Sequence, residues 1–512
     1  MPTIAAQELF SVLLDAEYYG AANSELQLLS IANDNRKVTA DSCFIAIKGE
    51  TFDGHNAIDE AIQLGAKAIV LEQLPTNWQE YPDVSFVKVR STFRAQAILA
   101  NQFYQTPSQK LNLVAVTGTN GKTTTSSMIS DLLMALGRKT GLVGTIHYKV
   151  DQTYYPAVNT TPNDFELQKL YADMLAAGCQ DAIIEASSHA LSLGRIWYSD
   201  VDCAIFTNLT REHLDFHKTM DAYAYAKSLL FAQLGQQFHH HKPRLAIVNQ
   251  DDPYHEVMIQ ATAADVLTYS LKDSTATAYA SDIQSLEGRL TCKVHFEKKE
   301  YAVSLPMLGD YNVANYLAAF LCLARYYGYS VAEVLKATQE FEGVTGRMQS
   351  IEEGQKFTAI VDFAHTPDAI ERVLAELSAI KTKPLLVLIG HSGGNRDSGA
   401  RPEIGDIVFK YADEIIFTAD NPRFEPIPKI VAELVQSHQE KAYTVIEDRQ
   451  SAIEFAVKQA EAEDIVVFVG KGGEAYQVIG DEYVPYDEVA TVQAAISQQL
   501  KSTTTSSENQ AH

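Results

Sequence analysis

Residues 111–129 read Leu-Asn-Leu-Val-Ala-Val-Thr-Gly-Thr-Asn-Gly-Lys-Thr-Thr-Thr-Ser-Ser-Met-Ile, which is the chemistry of a phosphate loop. The apolar run Leu111 to Val116 predicts a buried parallel strand. Gly118, Thr119, Asn120 and Gly121 break it, and a helical pattern starts at Thr123 with Lys122 at the hinge. Backbone N–H groups at such a junction point outward, and the helix dipole adds partial positive charge, so the site suits phosphate. Lys122 can reach the outer phosphates, and the hydroxyl of Thr123, followed by Thr124, can take Mg²⁺. The usual G-x-x-x-x-G-K-[ST] pattern is not met, because Val116 stands where its first Gly belongs. A glycine turn with a surface lysine is the plainer alternative, and Lys and Thr directly after the second Gly speak against it.

The elements around the loop must hold its partners. Thr140–Ile146 reads as a second strand, and the polar turn Asn159-Thr160-Thr161-Pro162-Asn163 precedes a helix over 164–177. Strand Asp181–Glu185 ends in Glu185-Ala186-Ser187-Ser188-His189. A carboxylate at the carboxyl end of a parallel strand beside a phosphate loop is where a Mg²⁺ ligand should sit. Strand Cys203–Thr207 runs into Asn208-Leu209-Thr210-Arg211-Glu212-His213-Leu214-Asp215-Phe216-His217, so His213 or His217 can face the same crevice, although a loop histidine is more often an ordinary polar residue. Strand Leu245–Val248 ends in Asn249-Gln250-Asp251-Asp252, and GTPases have Lys where Gln250 stands, which disfavours guanine reading. Residues 265–305 alternate like antiparallel strands, after which Asn312 and Asn315 share one helix face.

Two further α/β units flank this one. Residues 1–108 carry strand patterns at Leu26–Ile31, Cys43–Ile47 and Ala68–Val70, with Gln105–Ser108 as a linker. Asn35-Arg36-Lys37 lies on a loop after the first of these; an Arg-Lys pair there can hold a diphosphate or simply be a solvated basic loop. In residues 344–500, the strands Ala359–Phe363, Leu385–Ile389, Glu414–Thr418 and Asp464–Val469 each end in a Gly-, Pro- or charge-rich loop, marking one rim of a doubly wound sheet as a binding edge. Residues 501–512, rich in Ser and Thr, read as a disordered tail.

At 512 residues the chain exceeds a single core, so an α/β protein of several domains is expected. No apolar run has the length of a membrane span, and the N-terminal residues lack the layout of a signal peptide, which predicts a cytoplasmic protein without membrane insertion. A formal charge of −24 argues against a nucleic-acid surface, so an anionic substrate must be met by local cations. The five cysteines, at 43, 179, 203, 292 and 322, form no C-x-x-C pair and fit reduced thiols. The run His239-His240-His241 lies in a polar stretch with no second ligand cluster and reads as a loop.

Taken together, these stretches resemble the Mur ligases of bacterial cell-wall synthesis, most closely the type that adds the third peptide residue to UDP-N-acetylmuramoyl-dipeptide. The motifs T-G-T-N-G-K-T-T, N-T-T-P, E-A-S-S-H-A-L, T-N-L-T-R-E-H-L-D-F-H, G-x-x-N-V-x-N and D-F-A-H-T-P-D occur in the family's order, between about residues 26 and 495. The resemblance implies three domains: a UDP-binding domain over 1–108, a P-loop-type ATP domain over 109–343 and a Rossmann-like amino-acid domain over 344–500. It implies that Lys122 and Thr123 hold the ATP phosphates and Mg²⁺, with Glu185 and His213 as metal ligands and Asn312, Asn315, Arg347 and Asp362 bordering the nucleotide. Lys227 matches the lysine that the family carries as a carbamate (N6-carboxylysine), whereas from the residues alone it reads as an exposed helix lysine. Asn159, Thr160, Thr161, Ser187 and Arg195 match positions that hold the muramoyl dipeptide, with Asn35 and Arg36 at the uridine end, where Asn35 departs from the family's Ser.

The reaction so implied moves the γ-phosphate of ATP to the carboxylate of the terminal D-Glu, and an amino acid then displaces phosphate. Asp420-Asn421-Pro422-Arg423 looks like the signature of members that add meso-diaminopimelate, with Arg423 gripping the distal carboxylate and Arg396, Gly470 and Glu474 at matching positions. Ala400, Asn395 and Gly473 depart from the family's Lys, Asp and His, and a loop Arg423 bonded only to Glu425 is the alternative. L-lysine as the added amino acid is the second expectation. A nucleotide-binding paralogue without activity is disfavoured by the complete set Lys122, Glu185, His213 and Lys227. A P-loop motor or GTPase is disfavoured by the shortened loop, and a folylpolyglutamate synthase-like ligase by the N-terminal unit. Small-molecule partners and a monomer are expected.

Overall fold

Each of the three stretches separated in the sequence builds its own sheet. The computed structural model describes residues 3–21, 26–49, 52–157, 159–236, 244–286, 289–394 and 398–509. Arg396, Asn395 and the run His239–His241 lie outside the described residues.

The N-terminal sheet has five strands in the order Glu17–Gly20, Ser85–Lys88, Ala66–Leu71, Ser42–Ile45 and Ser30–Ala32. All its pairings are parallel except the first. The expected strand over 26–31 is two short pieces, Gln27–Leu28 and Ser30–Ala32, which pair in different sheets. Gln105 and Thr106, expected as a linker, adopt left-handed backbone and lead into a tight turn, Pro107–Lys110. Ser108 is fully buried there and bonds the Tyr198 carbonyl at 3.3 Å and the Asp200 N–H at 3.1 Å. The segment is therefore docked on the central domain, and Phe165 of the central domain in turn joins the N-terminal core.

The central sheet of eleven strands is organised around Asn112–Thr117. Leu113 and Ala115 face one core with Leu167, Tyr171 and Leu230, while Val114 and Val116 face another with Met128, Leu132 and Leu317. Helices cover both faces, which is why the run is apolar without alternation. Strands Asp181–Glu185 and Cys203–Phe206 flank it in parallel, so their carboxyl ends reach the same rim as Gly118. The strand expected over 140–146 stops at Val143, and the chain turns through Gly144–Ile146 into the hairpin His147–Val150 and Thr153–Pro156. Within 265–305 the alternation is only partly antiparallel. Asp265–Ser270 extends the parallel part of the sheet, and Ala278–Leu286, Arg289–Phe296 and Lys299–Leu305 form the antiparallel edge. Asp265–Ser270 is paired on both sides, but its first four residues are only partly buried or exposed, so it does not read as the continuous apolar run of a buried parallel strand.

The C-terminal sheet has six strands in the order Gln349–Ile351, Thr358–Asp362, Ile465–Val469, Leu385–Ile389, Glu414–Phe417 and Thr444–Val445, parallel except at the first edge. The expected α/β class and three-unit order are thus observed. The expected disordered tail is not: a helix runs from Glu488 to Asn509. Among the described residues no helix is long and apolar enough to cross a membrane.

One buried ion pair fixes the binding rim of this last sheet. Arg449 and Glu488 have fully buried side chains and meet at 2.5 Å. The same guanidinium donates to the carbonyls of Ala419 at 3.0 Å and Val469 at 3.1 Å, tying together the two strand ends that lead to the Asp420 and Gly470 loops. Arg449→Ala leaves Glu488 charged and unpaired in the core, and is expected to lower stability by about 3–5 kcal/mol in urea unfolding.

Candidate active site

The turn from strand Asn112–Thr117 into helix Lys122–Ala135 depends on two glycines. Gly118 has φ +152°, and a Cβ there would lie 1.8 Å from Thr207 Oγ1. Gly121 has φ +84°, and a Cβ there would lie 2.4 Å from Asn315 Oδ1. The next loop holds the turn from outside: the Asn120 N–H donates to Asn208 Oδ1 at 2.9 Å, and Thr207 Oγ1 donates to the Asn120 carbonyl at 2.6 Å. Lys122 folds back along the loop, donating to the carbonyls of Gly118 at 2.9 Å and Thr119 at 2.7 Å. Burial pulls its pKa below the ordinary lysine value, with Glu212 and Glu185 opposing that shift.

Thr123 Oγ1 donates to Glu185 Oε2 at 3.1 Å and accepts from Arg347 Nη2 at 3.0 Å. Glu185, 1% exposed, also takes the N–H of Thr145 at 3.0 Å and its hydroxyl at 2.9 Å. A second group stands on the other side of Gly118. Lys227, on helix Met220–Gln233, is 1% exposed and donates to the Gly118 carbonyl at 2.7 Å, with its ammonium 4.6 Å from the Tyr223 ring centre. Burial first, and the charge of Lys122 second, push its pKa well below the ordinary value. His213, in left-handed backbone, has Nε2 3.6 Å from Glu212 Oε1 and its ring 4.7 Å from that of His189. Burial raises the Glu212 pKa, but His213 and Lys122 more than offset it, so this carboxylate is held low. His217 instead stacks on Tyr223 and bonds Ser188 Oγ at 2.9 Å, a packing role.

A single cavity of about 1530 Å³ opens from the phosphate loop to the C-terminal rim. Thr119 to Thr124 line one end, and Asp420, Asn421, Arg423, Gly470 and Glu474 line the other. Asn159, Thr160, Thr161, Ser187 and Arg195 line the wall between, as expected from the sequence. Thr161 Oγ1 donates to the Glu185 carbonyl at 2.6 Å and Arg195 to the Thr161 carbonyl at 3.1 Å, so this wall is braced against the loop. Asn312, Asn315, Arg347 and Asp362 also reach the cavity. Asn315 donates to Asn312 Oδ1 at 2.9 Å, and Asp362, its pKa raised by burial against the pull of Arg347, accepts the N–H groups of Met348 and Ala364 at 2.7 Å.

Other expected positions fall elsewhere. Glu185 and Lys227 lie behind the cavity wall, in contact with its lining through Thr123, Thr145 and the Gly118 carbonyl. Asn35 and Arg36 do not line this cavity: Asn35 bonds Glu60 at 2.8 Å, and exposed Arg36 forks onto Asp34 at 2.8 and 2.9 Å. Pro422 shapes its loop without lining the cavity. The alternative partner for Arg423 is excluded, because Glu425 is taken by Arg401 at 2.9 and 3.0 Å and by Lys429 at 3.0 Å. Arg423 Nε is buried without a hydrogen-bond partner among the described residues. Sequence reasoning passed over Glu212, Asn208, Thr145 and Asp368. Glu212, Asn208 and Asp368 stand in stretches already singled out, while Thr145 carries no local signal.

Comparison with known proteins matches three family models in succession: "Mur ligase family, catalytic domain" over residues 29–104, "Mur ligase middle domain" over 116–323 and "Mur ligase, glutamate ligase domain" over 346–472. The chain is 40% identical over 484 residues to the UDP-N-acetylmuramoyl-L-alanyl-D-glutamate--2,6-diaminopimelate ligase of Listeria innocua, covering 94% of this chain and 97% of the relative. A solved structure of an enzyme with that same name aligns with TM-score 0.66 and 31% identity, over 97% of this chain and 99% of that one. A MurF ligase from Thermotoga maritima in complex with ADP shares the fold at TM-score 0.64 and 18% identity, over 92% and 98% of the two chains.

The loop geometry generates a direct test. Lys122→Ala and Glu185→Ala are expected to keep the thermal midpoint within a few degrees and to lower turnover at saturating ATP by on the order of 10²–10³-fold. Gly118→Ala, whose methyl has no room beside Thr207, is expected to abolish ADP binding in calorimetry.

Proposed function

The chain belongs to the Mur ligase family, and from that premise we propose that it joins meso-diaminopimelate to the D-Glu of UDP-N-acetylmuramoyl-L-alanyl-D-glutamate at the expense of ATP, in peptidoglycan synthesis. The observation that carries the reading is the single cavity with a phosphate loop at one end and an arginine-bearing amino-acid pocket at the other. A ligase that activates a carboxylate with phosphate and then offers it an amine needs both in one enclosure.

A free carboxylate is a poor electrophile. In the first step its oxygen attacks the γ-phosphorus of ATP, the bond to the bridging oxygen breaks, and ADP leaves with an acyl phosphate formed. In the second, the amine attacks the acyl carbon, the bond to the phosphate oxygen breaks, and the amine gives up a proton. Lys122 and the loop N–H groups hold the terminal phosphates in line, and the Arg347 guanidinium adds positive charge beside Thr123. Thr160, Thr161, Ser187 and Arg195 orient the muramoyl dipeptide, so that its carboxylate faces the loop. Walls from two domains keep water from the acyl phosphate.

The oxygen donors Thr123 and Glu185, 3.1 Å apart, fit a hard divalent cation. With His213 and a carbamate on Lys227 they would hold Mg²⁺, which when bound offsets the charge gathering on the transferred group. Lys227 is suited to that modification: burial and Lys122 favour its neutral amine, whose lone pair adds to CO₂, and loss of one proton leaves an anionic carbamate. At the far end, Arg423 has no carboxylate partner among the described residues and can take the distal carboxylate of diaminopimelate through two parallel hydrogen bonds. Glu474 faces the same space with an acceptor for the distal ammonium.

Three experiments test this reading. Phosphate release from ATP in the presence of UDP-muramoyl-dipeptide is expected with meso-diaminopimelate and to be far weaker with L-lysine; a preference for L-lysine overturns the assignment. Arg423→Ala is expected to raise the diaminopimelate KM on the order of 100-fold with little change in the KM for ATP. Lys227→Ala is expected to lose ligation and to regain part of it with added formate or acetate, and full activity in the untreated variant rules the carbamate out.

A further inference from the structure

Behind the amino-acid end of the cavity lies a lysine that the reaction above does not use. Lys471 follows strand Ile465–Val469, and its side chain is fully buried. Its ammonium donates to Asn421 Oδ1 at 2.7 Å and Glu474 Oε2 at 2.9 Å, and stands 3.6 Å from Asp420 Oδ1. An ammonium has three N–H groups and no acceptor, and here two of them are bonded to pocket residues while Asp420 Oδ1 stands at ion-pair distance. Asn421 is oriented as a result. Its oxygen takes Lys471 and the Val478 N–H at 2.9 Å, which turns its NH₂ onto Glu474 Oε2 at 3.1 Å. Asp420 is fixed on its other oxygen by Ser392 at 2.8 Å, while Oδ1 has no hydrogen-bond partner among the described residues.

We propose that Lys471 is the positioning residue of the amino-acid pocket: its hydrogen bonds to Asn421 and Glu474 aim both side chains at the distal ammonium of the incoming diamino acid. The inference rests on reading this end of the cavity as the amino-acid site. The charge balance explains the arrangement. Two carboxylates sharing one dry pocket repel, and a cation between them offsets that repulsion and lets both face the same ligand. Burial raises the Asp420 pKa, yet Lys471, and after it Arg449, more than offset that and hold it low. Because Lys471 is paired from the protein side, Arg423 is, among the described residues at this end of the cavity, the cation left to face a substrate carboxylate.

Substitution at this position separates charge from space. Lys471→Met keeps the length and apolar contacts and removes the ammonium; Lys471→Arg keeps a positive charge and crowds the site. The proposal expects Lys471→Met to raise the diamino-acid KM on the order of 100-fold, with kcat lowered less than about tenfold and the KM for ATP within about twofold. Lys471→Arg is expected to lie closer to wild type than Lys471→Met. A space-filling lysine gives the reverse order, with Met tolerated and Arg not, and that order overturns the proposal. Equal rises in the KM values for ATP and the amino acid, or failure of both variants to fold, also overturn it. A wild-type enzyme that uses no amino acid defeats the reading of the pocket instead, whereas an active wild type matched by Lys471→Met defeats this inference alone.

Discussion

The carbonyl of Gly118 accepts hydrogen bonds from two lysines, Lys122 at 2.9 Å and Lys227 at 2.7 Å. Two ammonium groups on one oxygen, both removed from water, cannot both stay charged at no cost. Lys122 has Glu212 and Glu185 as countercharges, whereas Lys227 has Glu212 alone against the repulsion of Lys122. The strain is therefore resolved at Lys227, which tends to the neutral amine. That is the form able to react with CO₂, which is what the proposed carbamate on Lys227 requires. The turn at Gly118 makes this possible, because only a residue without a side chain leaves room beside Thr207 for the chain to present that carbonyl inward.

The C-terminal domain completes the loop. Arg347 reaches across to Thr123 at 3.0 Å, and Asp368, at the start of helix Pro367–Ile380, accepts from Asn120 Nδ2 at 3.0 Å. Neither contact lies within the nucleotide domain, so phosphate binding and the position of the amino-acid domain are coupled through two short bonds. Arg347 is half-buried, with its pKa lowered by desolvation and its guanidinium carbon 4.4 Å from the Phe363 ring centre. A stacked, partly desolvated guanidinium is held in place by its surroundings, so under the proposed function it would need little rearrangement to meet charge developing at the phosphate.

What the sequence made legible follows from how local each feature is. Gly118, Gly121, Lys122 and Thr123 are neighbours whose roles are set by one turn, and strand ends such as Glu185 are located by periodicity alone. Lys227 was not legible from its surroundings. Its helix buries Tyr223, Ala224, Ala226, Leu230 and Phe231, and only packing against a carbonyl 109 residues away takes the lysine out of water. The freedom of Arg423 was equally hidden, since it depends on Arg401 claiming Glu425 from 24 residues off. Composition misled at the chain end, where a Ser- and Thr-rich stretch continues a helix already begun at Glu488. Asn35 and Arg36 matched a motif by order, but the side chains are engaged by Glu60 and Asp34 and lie apart from the main cavity.

The two ends of the cavity differ in electrostatic design, and the difference matches what each receives. In a chain of formal charge −24, the phosphate end sets Lys122 and Arg347 against Glu185 and Glu212, and adds the N–H groups of the loop and the helix start, which suit a polyanion. The far end alternates Lys471 and Arg423 with Asp420 and Glu474, so its charges nearly cancel. A cancelling set exerts little net pull on an ion of either sign. It favours instead a molecule that carries both charges at the right separation, because each group then meets its opposite and any single-charge competitor leaves one buried group unpaired. Selectivity for a zwitterionic end therefore arises from placement rather than attraction, and placement depends on the buried contacts behind the pocket: Arg449 tying the two strand ends, and Lys471 holding Asn421 and Glu474.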